Sequence, residues 1–206
     1  MRRPPWSTHT DGSAHHPYLA LGGGDRAGAD GGIAAFLLRQ SPPASGFGVA
    51  EFDLVDQNGN PVDETVFVGH PSALFFGFTH CPEVCPTTMA EMSAWFDALG
   101  DEGADLRAWF VSIDPERDTP AVLGDYVSWV SDRITGITGA PDQIDRLADA
   151  WGVFHEKVPL EGGDYTMDHT ASVFLLDARG QFQGTIAYRE DMATALGKLR
   201  NLLAKS

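Results

Sequence analysis

The chain has 206 residues, of which 43% are hydrophobic, and a formal net charge of −15. This length and apolar fraction are enough for one globular domain with a real core and an additional extension. The acidity argues against a nucleic-acid-binding protein, because phosphate backbones are bound by clustered Lys and Arg side chains. Residues 1–45 hold four Arg and three Asp, without Lys or Glu, and so carry +1, which leaves −16 on the other 161 residues. Solubility alone accounts for such an acidic body.

The first 45 residues show no periodicity, and we predict an N-terminal extension at 1–45 followed by a folded domain at 46–206. Residues 1–32 lack the apolar region and the cleavage site of a signal peptide. The apolar run 33–38 is too short to span a bilayer, which takes about 20 residues. Closed by Arg39, it nevertheless resembles the trailing end of a membrane anchor. Two interpretations stay open: a disordered tail, or a chain from which the native anchor is missing.

The first half of the domain shows local signals of both strands and helices. Alternating residues at 52–56 and a turn at 57–61 predict an opening β-hairpin. The continuous apolar run 73–78 is typical of a strand buried on both faces. Apolar residues then recur at helical spacing from Pro86 to about Leu99, with the methionines on the core stripe. A further strand is predicted at 109–113.

The second half continues the alternation and then closes with antiparallel strands. The first predicted element is a helix capped by Thr119 with Pro120 as its first residue. Its buried face is predicted to hold Val122, Leu123, Tyr126, Val127 and Val130. The elements that follow are a helix from Pro141, a hairpin arm at 154–158, a loop at 160–164, strands at 172–176 and 182–188, and a final helix from Met192. Strands and helices that alternate and end in a hairpin and a helix follow the thioredoxin-like order. We therefore predict an α/β protein with an N-terminal β-hairpin and a mixed central sheet flanked by helices.

The only two cysteines, Cys81 and Cys85, stand where the buried strand ends and the helix begins. Helical residues four apart are about 6 Å apart, so both sulfurs can reach one metal ion or form a disulfide. The N–H groups and dipole of a helix N-terminus favour the thiolate form. Two thiolates suit Cu(I) or Zn(II), and either ion needs a further ligand. A purely structural disulfide is a third interpretation, although so short a loop restrains the unfolded chain little.

Three segments in the same order resemble the signature blocks of the Sco/SenC family, the thioredoxin-like copper proteins that assist assembly of cytochrome c oxidase. They are FGFTHCPEVCP at 76–86, SIDPERDTP at 112–120 and YTMDHT at 165–170. The resemblance extends from about Gly48 to the C-terminus. It implies one copper ion per chain, as Cu(I) or Cu(II).

His169 precedes the predicted strand 172–176, and in a thioredoxin-like fold the loop entering that strand faces the helix that carries the cysteines. Ordinary thioredoxins have a proline there, which this chain lacks. The resemblance assigns His169 as the copper ligand that completes a set with Cys81 and Cys85. The alternative is a buried histidine bonded to the backbone. His80, although adjacent to Cys81, is predicted to be a neighbour of the site and not a ligand.

Asp114 follows the predicted strand 109–113 and so lies at the carboxyl end of the sheet, where sites of α/β proteins form. The resemblance implies that this aspartate affects copper loading, above all as Cu(II). It would act as a weak ligand or as a partner of a ligand. Arg117 and Asp118 are predicted to pair with each other and hold the loop.

The resemblance implies a copper-binding assembly factor for the dinuclear copper site of cytochrome c oxidase or a similar cuproenzyme. Its partners would be the copper-bearing oxidase subunit or another apo-cuproprotein, and other copper carriers. The expected location is extracytoplasmic, in the periplasm or at the outer face of the inner membrane, with a membrane anchor that this chain does not show. The alternative is a thiol–disulfide oxidoreductase in which Cys81 and Cys85 reduce the cysteines of an apo-copper site. His169 favours metal binding, because dithiol exchange does not require an imidazole.

A third class is a peroxidase with Cys81 as the peroxidatic thiol. Such a sulfur needs a neighbouring positive group to activate it. The motif around Cys81 contains no arginine, which disfavours this class.

Overall fold

The computed structural model describes residues 47, 48 and 50–205. In chain order the elements are β1 (Leu54–Asp56), β2 (Pro61–Val62), β3 (Ser72–Gly77), α1 (Val84–Leu99), β4 (Arg107–Ser112), α2 (Pro120–Val130), β5 (Ile134–Thr138), α3 (Pro141–Ala150), β6 (His155–Pro159), β7 (Tyr165–His169), β8 (Val173–Leu176), β9 (Phe182–Ile186) and α4 (Met192–Leu203). Short 3-10 turns lie at Glu64–Phe67 and Gly100–Gly103. The apolar run 33–38 and the predicted boundary at residue 45 lie outside the described residues.

The main sheet has seven strands in the order β2-β1-β5-β4-β3-β8-β9. Strands β3, β4 and β5 are parallel to one another, whereas β1 is antiparallel to β5 and β8 is antiparallel to β3. The predicted mixed α/β sheet and its opening hairpin are therefore confirmed, and the arrangement is thioredoxin-like. The carboxyl ends of β3 and β4 meet at one edge, which places residues 78–83 beside residues 113–118.

The core is centred on β3, all six residues of which are buried. Phe75 and Phe76 point to opposite faces, since successive strand residues alternate, and both are fully buried. Helix α1 contributes Met89 and Met92 to this core, with 0% exposure each, so their predicted packing role is confirmed. The buried strand ends abruptly at Gly77, and the cysteine motif follows it.

The predictions for β5 and α2 differ from the structure, and β7, which carries His169 in a strand and not in a loop, has no predicted counterpart either. Strand β5 has no counterpart among the predicted elements, because its five residues ITGIT contain a glycine that weakens the strand pattern. A Cβ at Gly136 would lie 2.6 Å from Leu123 Cγ, so the glycine lets α2 pack closely on β5. On α2, Leu123 and Val127 are buried as predicted, and Tyr126 and Val130 are half-buried against the core, whereas Val122 is 39% exposed.

Strands β6 and β7 form a separate two-stranded antiparallel sheet. Their register pairs His155 with His169 and Pro159 with Tyr165. The predicted hairpin arm corresponds to β6, and β7 is the third motif, YTMDH, in extended form. Because β7 joins β6 and not the main sheet, its position depends on side-chain contacts with the rest of the domain.

Within residues 50–205, none of the helices combines the length and the hydropathy that crossing a membrane requires.

Candidate metal centre

The two cysteines lie at the N-terminus of α1, as predicted. Cys85 is in the first helical turn, and Cys81 precedes the helix in the loop that leaves β3. The Cys85 N–H donates to Cys81 Sγ at 3.3 Å. The first amide groups of a helix have no partner within the helix, and Glu83 at the N-cap supplies no side-chain bond. The Cys81 sulfur therefore takes the place of a capping group.

The two sulfurs differ in ionisation. The pKa of Cys81 is lowered to about 4, chiefly because the Cys85 thiol donates a hydrogen bond to it, with further help from two backbone N–H groups. The pKa of Cys85 is raised, because its proton is held by Cys81 and because the group is buried. Near neutral pH the pair is thus one thiolate and one thiol. Binding of a metal to both sulfurs releases the Cys85 proton.

Gly77 explains how closely Cys85 packs against the sheet. A Cβ at this position would lie 2.9 Å from Cys85 Sγ and 2.9 Å from Phe110 Cε2. The sulfur therefore rests on bare backbone at the end of β3. Cys85 is buried, whereas Cys81 is only half-buried.

His169, the last residue of β7, directs one ring nitrogen at the sulfurs. Its Nδ1 lies 2.9 Å from the carbonyl oxygen of Thr170, so Nδ1–H donates there and Nε2 keeps its lone pair. Nε2 is 3.6 Å from Cys85 Sγ. The edges of Phe75 and Phe78 fix the ring plane, with centroid distances of 6.1 and 5.9 Å. His169 thus combines the two arrangements considered from the sequence. Its Nδ1 is bonded to the backbone, and its Nε2 faces the cysteines.

The potential ligand atoms of Cys81, Cys85 and His169 all lie within 4.8 Å of one another. Among the described residues, this is the group of three whose chemistry and spacing suit a metal ion. His80 does not belong to it, since its Nδ1 lies 3.1 Å from Thr79 Oγ1. The donor set of two sulfurs and one imidazole fits a soft ion such as Cu(I). Structural zinc sites are almost always four-coordinate, so three ligands fit zinc less well.

Asp114 is buried and its carboxylate has two other partners. It accepts a hydrogen bond from the Tyr165 hydroxyl at 2.7 Å and forms an ion pair with Arg117. A role of Asp114 in copper loading stays a prediction, and these contacts connect it with the strand that carries His169.

The predicted pair of Arg117 and Asp118 is wrong, because the two consecutive side chains project to different sides of the loop. Arg117 turns towards Asp114 and β7. Asp118 is fully buried and accepts hydrogen bonds from Thr79 and Ser112. Each residue does hold the loop, but with a different partner.

Tyr165 and Thr79 are site-supporting residues that the sequence reasoning did not identify. The available signal for Tyr165 was its spacing, since residues 165 and 169 fall on one face of an extended strand. Thr79 carries no such signal, because its partner is 39 residues away in sequence.

A cleft of about 290 Å³ opens beside the centre and is lined by Cys81, His169, Phe78 and Met167, among others. Cys85 does not line it. A larger cavity of about 350 Å³ between β9 and α4 contains no cysteine or histidine. Chemistry and not cavity size therefore identifies the site.

Comparison with known proteins agrees with this geometry. The profile of the SCO1/SenC family matches residues 41–204. An SCO2-like protein of Rickettsia felis is 36% identical over 134 residues, which are 64% of this chain and 65% of that protein. Mitochondrial SCO2 of Saccharomyces cerevisiae is 35% identical over 153 residues, which are 72% of this chain and 50% of that protein. The matches thus span about half to two thirds of these relatives' length.

Solved structures show the same likeness. Bradyrhizobium japonicum ScoI with copper bound superposes with a TM-score of 0.69 at 39% identity, covering 74% of this chain and 98% of that one. Yeast Sco1 with copper bound gives a TM-score of 0.70 at 31% identity, covering 76% and 88%. The resemblance first seen in three motifs is confirmed over most of the sequence, and this chain belongs to the SCO1/SenC family.

Proposed function

We propose that this protein is a copper-binding assembly factor that carries one copper ion per chain. It delivers the ion to the copper-bearing subunit of cytochrome c oxidase or to another apo-cuproprotein. The observation that supports this most directly is the convergence of two sulfurs and one imidazole nitrogen within 4.8 Å. The copper-bound structures of two relatives support the choice of metal.

The chain prepares each ligand in a different way. Cys81 is already a thiolate near neutral pH, because its pKa is lowered to about 4. Cys85 gives up a proton when it binds the metal. His169 presents Nε2 in the correct tautomer, since Nδ1–H is bonded to the Thr170 carbonyl. The open cleft on the Cys81 side gives a partner protein access to the ion.

We further propose an extracytoplasmic location, in the periplasm or at the outer face of the inner membrane, with anchorage by a segment preceding the domain. The support is the likeness of residues 33–39 to the end of an anchor. Fractionation of the source cells, with a C-terminal tag added at the native gene, tests this, and recovery from the cytoplasmic fraction would contradict it.

The test of copper binding is an anaerobic competition titration of reduced protein with Cu(I) and a chromophoric Cu(I) chelator. We expect one tightly bound ion per chain. Cys81→Ser and Cys85→Ser should each lose tight binding, because each removes a thiolate ligand. His70→Ala is the matched control, since His70 faces Asp105 at the other end of β3 from the cysteines and its loss should leave binding unchanged. Equal affinity in the cysteine variants and the wild type would overturn the proposal.

A thiol–disulfide oxidoreductase is the second candidate, and the unequal cysteines support it. A half-exposed thiolate beside a buried thiol resembles an attacking and a resolving cysteine. Copper binding is nevertheless the better account, because disulfide exchange leaves the ordered imidazole of His169 without a role. Reduction of a disulfide substrate at a rate that His169→Ala leaves unchanged, with no copper affinity, would favour the oxidoreductase.

A further inference from the structure

We propose that the segment Asp114–Asp118 is a bridge that sets the distance between the cysteine pair and His169. Its two positioning residues are Arg117, which holds the histidine strand, and Asp118, which holds the cysteine loop. The inference rests on the proposed function, because it concerns how the same three ligands are brought together. None of the bridge residues has to touch the metal.

The contact with the histidine strand is made through Tyr165, at the opposite end of β7 from His169. Arg117 Nη1 donates to the Tyr165 carbonyl oxygen at 3.0 Å, and the guanidinium carbon lies 3.7 Å from the centroid of the Tyr165 ring. The Tyr165 hydroxyl donates to Asp114 at 2.7 Å. The ion pair of Arg117 with Asp114 closes the cluster. The bridge therefore contacts the backbone, the ring and the hydroxyl group of Tyr165.

These contacts matter because the hairpin has little support of its own. Strands β6 and β7 pair only with each other, and a two-stranded hairpin is marginally stable in water. Tyr165 and His169 are four residues apart, so both side chains lie on the same face of β7. Fixing the Tyr165 end of that face therefore restricts where the imidazole can lie. The Lys157–Glu116 pair also joins the hairpin to the bridge at 2.6 Å, but it is exposed and contributes less.

The contact with the cysteine loop is made by the carboxylate of Asp118. Oδ2 accepts the Thr79 N–H at 3.0 Å, and Oδ1 accepts the Thr79 hydroxyl at 2.6 Å. Ser112, at the end of β4, donates to the same carboxylate at 2.6 Å. Thr79 stands two residues before Cys81, so Asp118 fixes the loop immediately ahead of the first sulfur.

The bridge itself is a short, internally bonded turn between β4 and α2. The N–H groups of Arg117 and Asp118 both donate to the Asp114 carbonyl, at 3.1 and 2.9 Å. Thr138 of β5 donates its hydroxyl to the Asp118 carbonyl at 2.8 Å. Because the turn is tied to two core strands, both of its ends hold fixed positions relative to the sheet. The charged residues of the second motif thus keep soft sulfur and imidazole at binding distance.

The first experiment is a double-mutant cycle between Arg117→Gln and His169→Ala, read by anaerobic titration with Co(II), which does not oxidise thiols. We expect Arg117→Gln to weaken Co(II) binding by about 10- to 100-fold, the usual effect of losing a residue that orients a ligand. In the His169→Ala background the same change should have no further effect. Arg133→Gln is the matched control, since Arg133 also binds a backbone carbonyl and lies 4.2 Å from a ring centroid. Its partners, Gly103 and Phe96, lie at the C-terminal end of α1, opposite the cysteines.

The second experiment needs no metal and separates the two ends of the bridge. Hydrogen exchange of the reduced apoprotein should accelerate at residues 155–169 in Arg117→Gln and at residues 78–83 in Thr79→Val. If Arg117→Gln does not fold, Tyr165→Phe keeps the ring and removes only the hydroxyl bond, with Tyr188→Phe as its control. A smaller acceleration in the same hairpin is then expected.

Two results would overturn the bridge: equal weakening of Co(II) by Arg117→Gln with and without His169, or exchange that rises evenly over the whole domain. Failure of the proposed function looks different. In that case the wild type binds no metal at the cysteines, while the exchange pattern still reports on the bridge.

Discussion

The metal centre joins two regions that are built by opposite means. The cysteine half belongs to the core, because it continues from the fully buried strand β3 into the first turn of α1. The histidine half belongs to a separate hairpin held against the domain by side chains. The spacing of the cysteines comes from four residues of chain, whereas His169 reaches Cys85 across 84 residues. The sulfurs are therefore placed by local geometry and the imidazole by tertiary contacts.

This difference predicts that changes to the cysteine half abolish tight copper binding. Changes to the histidine half should instead alter the affinities for Cu(I) and Cu(II). The largest effect should follow oxidation of Cys81 and Cys85 to a disulfide, because neither sulfur then offers a thiolate. We expect tight Cu(I) binding to be lost. The measurement is the Cu(I) competition titration after free thiol has been shown to be absent. Unchanged affinity in the disulfide form would place the metal elsewhere, for instance on the histidines of residues 1–45.

The next effect concerns the histidine half alone. His169→Ala should weaken Cu(I) modestly and Cu(II) strongly, because imidazole matters more to the harder ion. Loss of an orienting partner costs about 10- to 100-fold in metal affinity, so loss of the ligand itself should cost Cu(II) at least about 100-fold. Separate titrations with the two ions measure this. Wild-type affinity for both ions would remove His169 from the ligand set.

A smaller effect on binding, with a cost in stability, is expected from Asp114→Asn. The change removes the closer of the two charged partners of Arg117, leaving the exposed Asp164 at 3.4 Å, and weakens the bond to Tyr165. We therefore expect the free energy of unfolding to fall by about 1–3 kcal/mol. Cu(II) binding should be impaired and Cu(I) binding retained.

Asp177→Asn is the matched control for that change, because Asp177 is a buried turn carboxylate paired with Arg179 in another part of the domain. It should reduce stability without changing either copper affinity. If Asp114→Asn and Asp177→Asn give the same Cu(II) spectra, Asp114 has no part in the site.

A pH effect should distinguish the two sulfurs. The pKa of Cys81 is lowered from about 9 to about 4, so between these values the unfolded state binds a proton that the native state does not. The free energy of unfolding of the reduced protein should therefore rise with pH across this window, and this contribution is lost as the pH falls towards 4. Above pH 9 the raised pKa of Cys85 acts in the opposite direction.

The measurement is denaturant unfolding of the wild type and Cys81→Ser at a series of pH values, and the difference between the two curves isolates Cys81. Alkylation provides a second readout, because thiolate and not thiol reacts. Cys81 should be modified at mildly acidic pH while Cys85 is protected. Parallel pH curves for the two proteins would mean that the thiolate is not stabilised by folding.

The smallest effect should come from removing residues 1–45. Both halves of the centre lie within the described residues, so a chain that begins at Gly46 should retain its unfolding midpoint and copper stoichiometry. Thermal unfolding and the Cu(I) titration are the measurements. A truncated chain that loses copper would show that the extension takes part in the site.

The same contrast between local and distant contacts explains what the sequence could predict. The junction of β3 and α1 was predictable because an apolar run and a helical repeat meet there. The cap of α2 was equally local, since Thr119 accepts from the Val122 N–H and Pro120 opens the helix. Strand β7 could not be predicted in this way, because its five residues alternate weakly and are extended only by pairing with β6.

The site shows the same limit. Cys81 and Cys85 follow from spacing alone, whereas His169 was assigned by resemblance to a family. The partners of Arg117 and Asp118 were predicted incorrectly, because neighbours in sequence are the only candidates that a single sequence displays. Besides Asp114 and Ser112, which are near in sequence, Arg117 bonds Tyr165 and Asp118 bonds Thr79, 48 and 39 residues away.

The unequal burial of the two sulfurs also imposes an order of events. Cys81 and His169 line the open cleft, and Cys85 lies beneath them against Gly77. If the protein delivers copper as proposed, a sulfur of the recipient meets Cys81 first, because the sheet lies behind Cys85. Transfer should begin with replacement of Cys81 as a ligand and end with release of the ion from Cys85. The bond to the buried Cys85 sulfur would then last until ligands of the recipient hold the ion. The unequal burial thus predicts that the bond to Cys81 breaks first and the bond to Cys85 last.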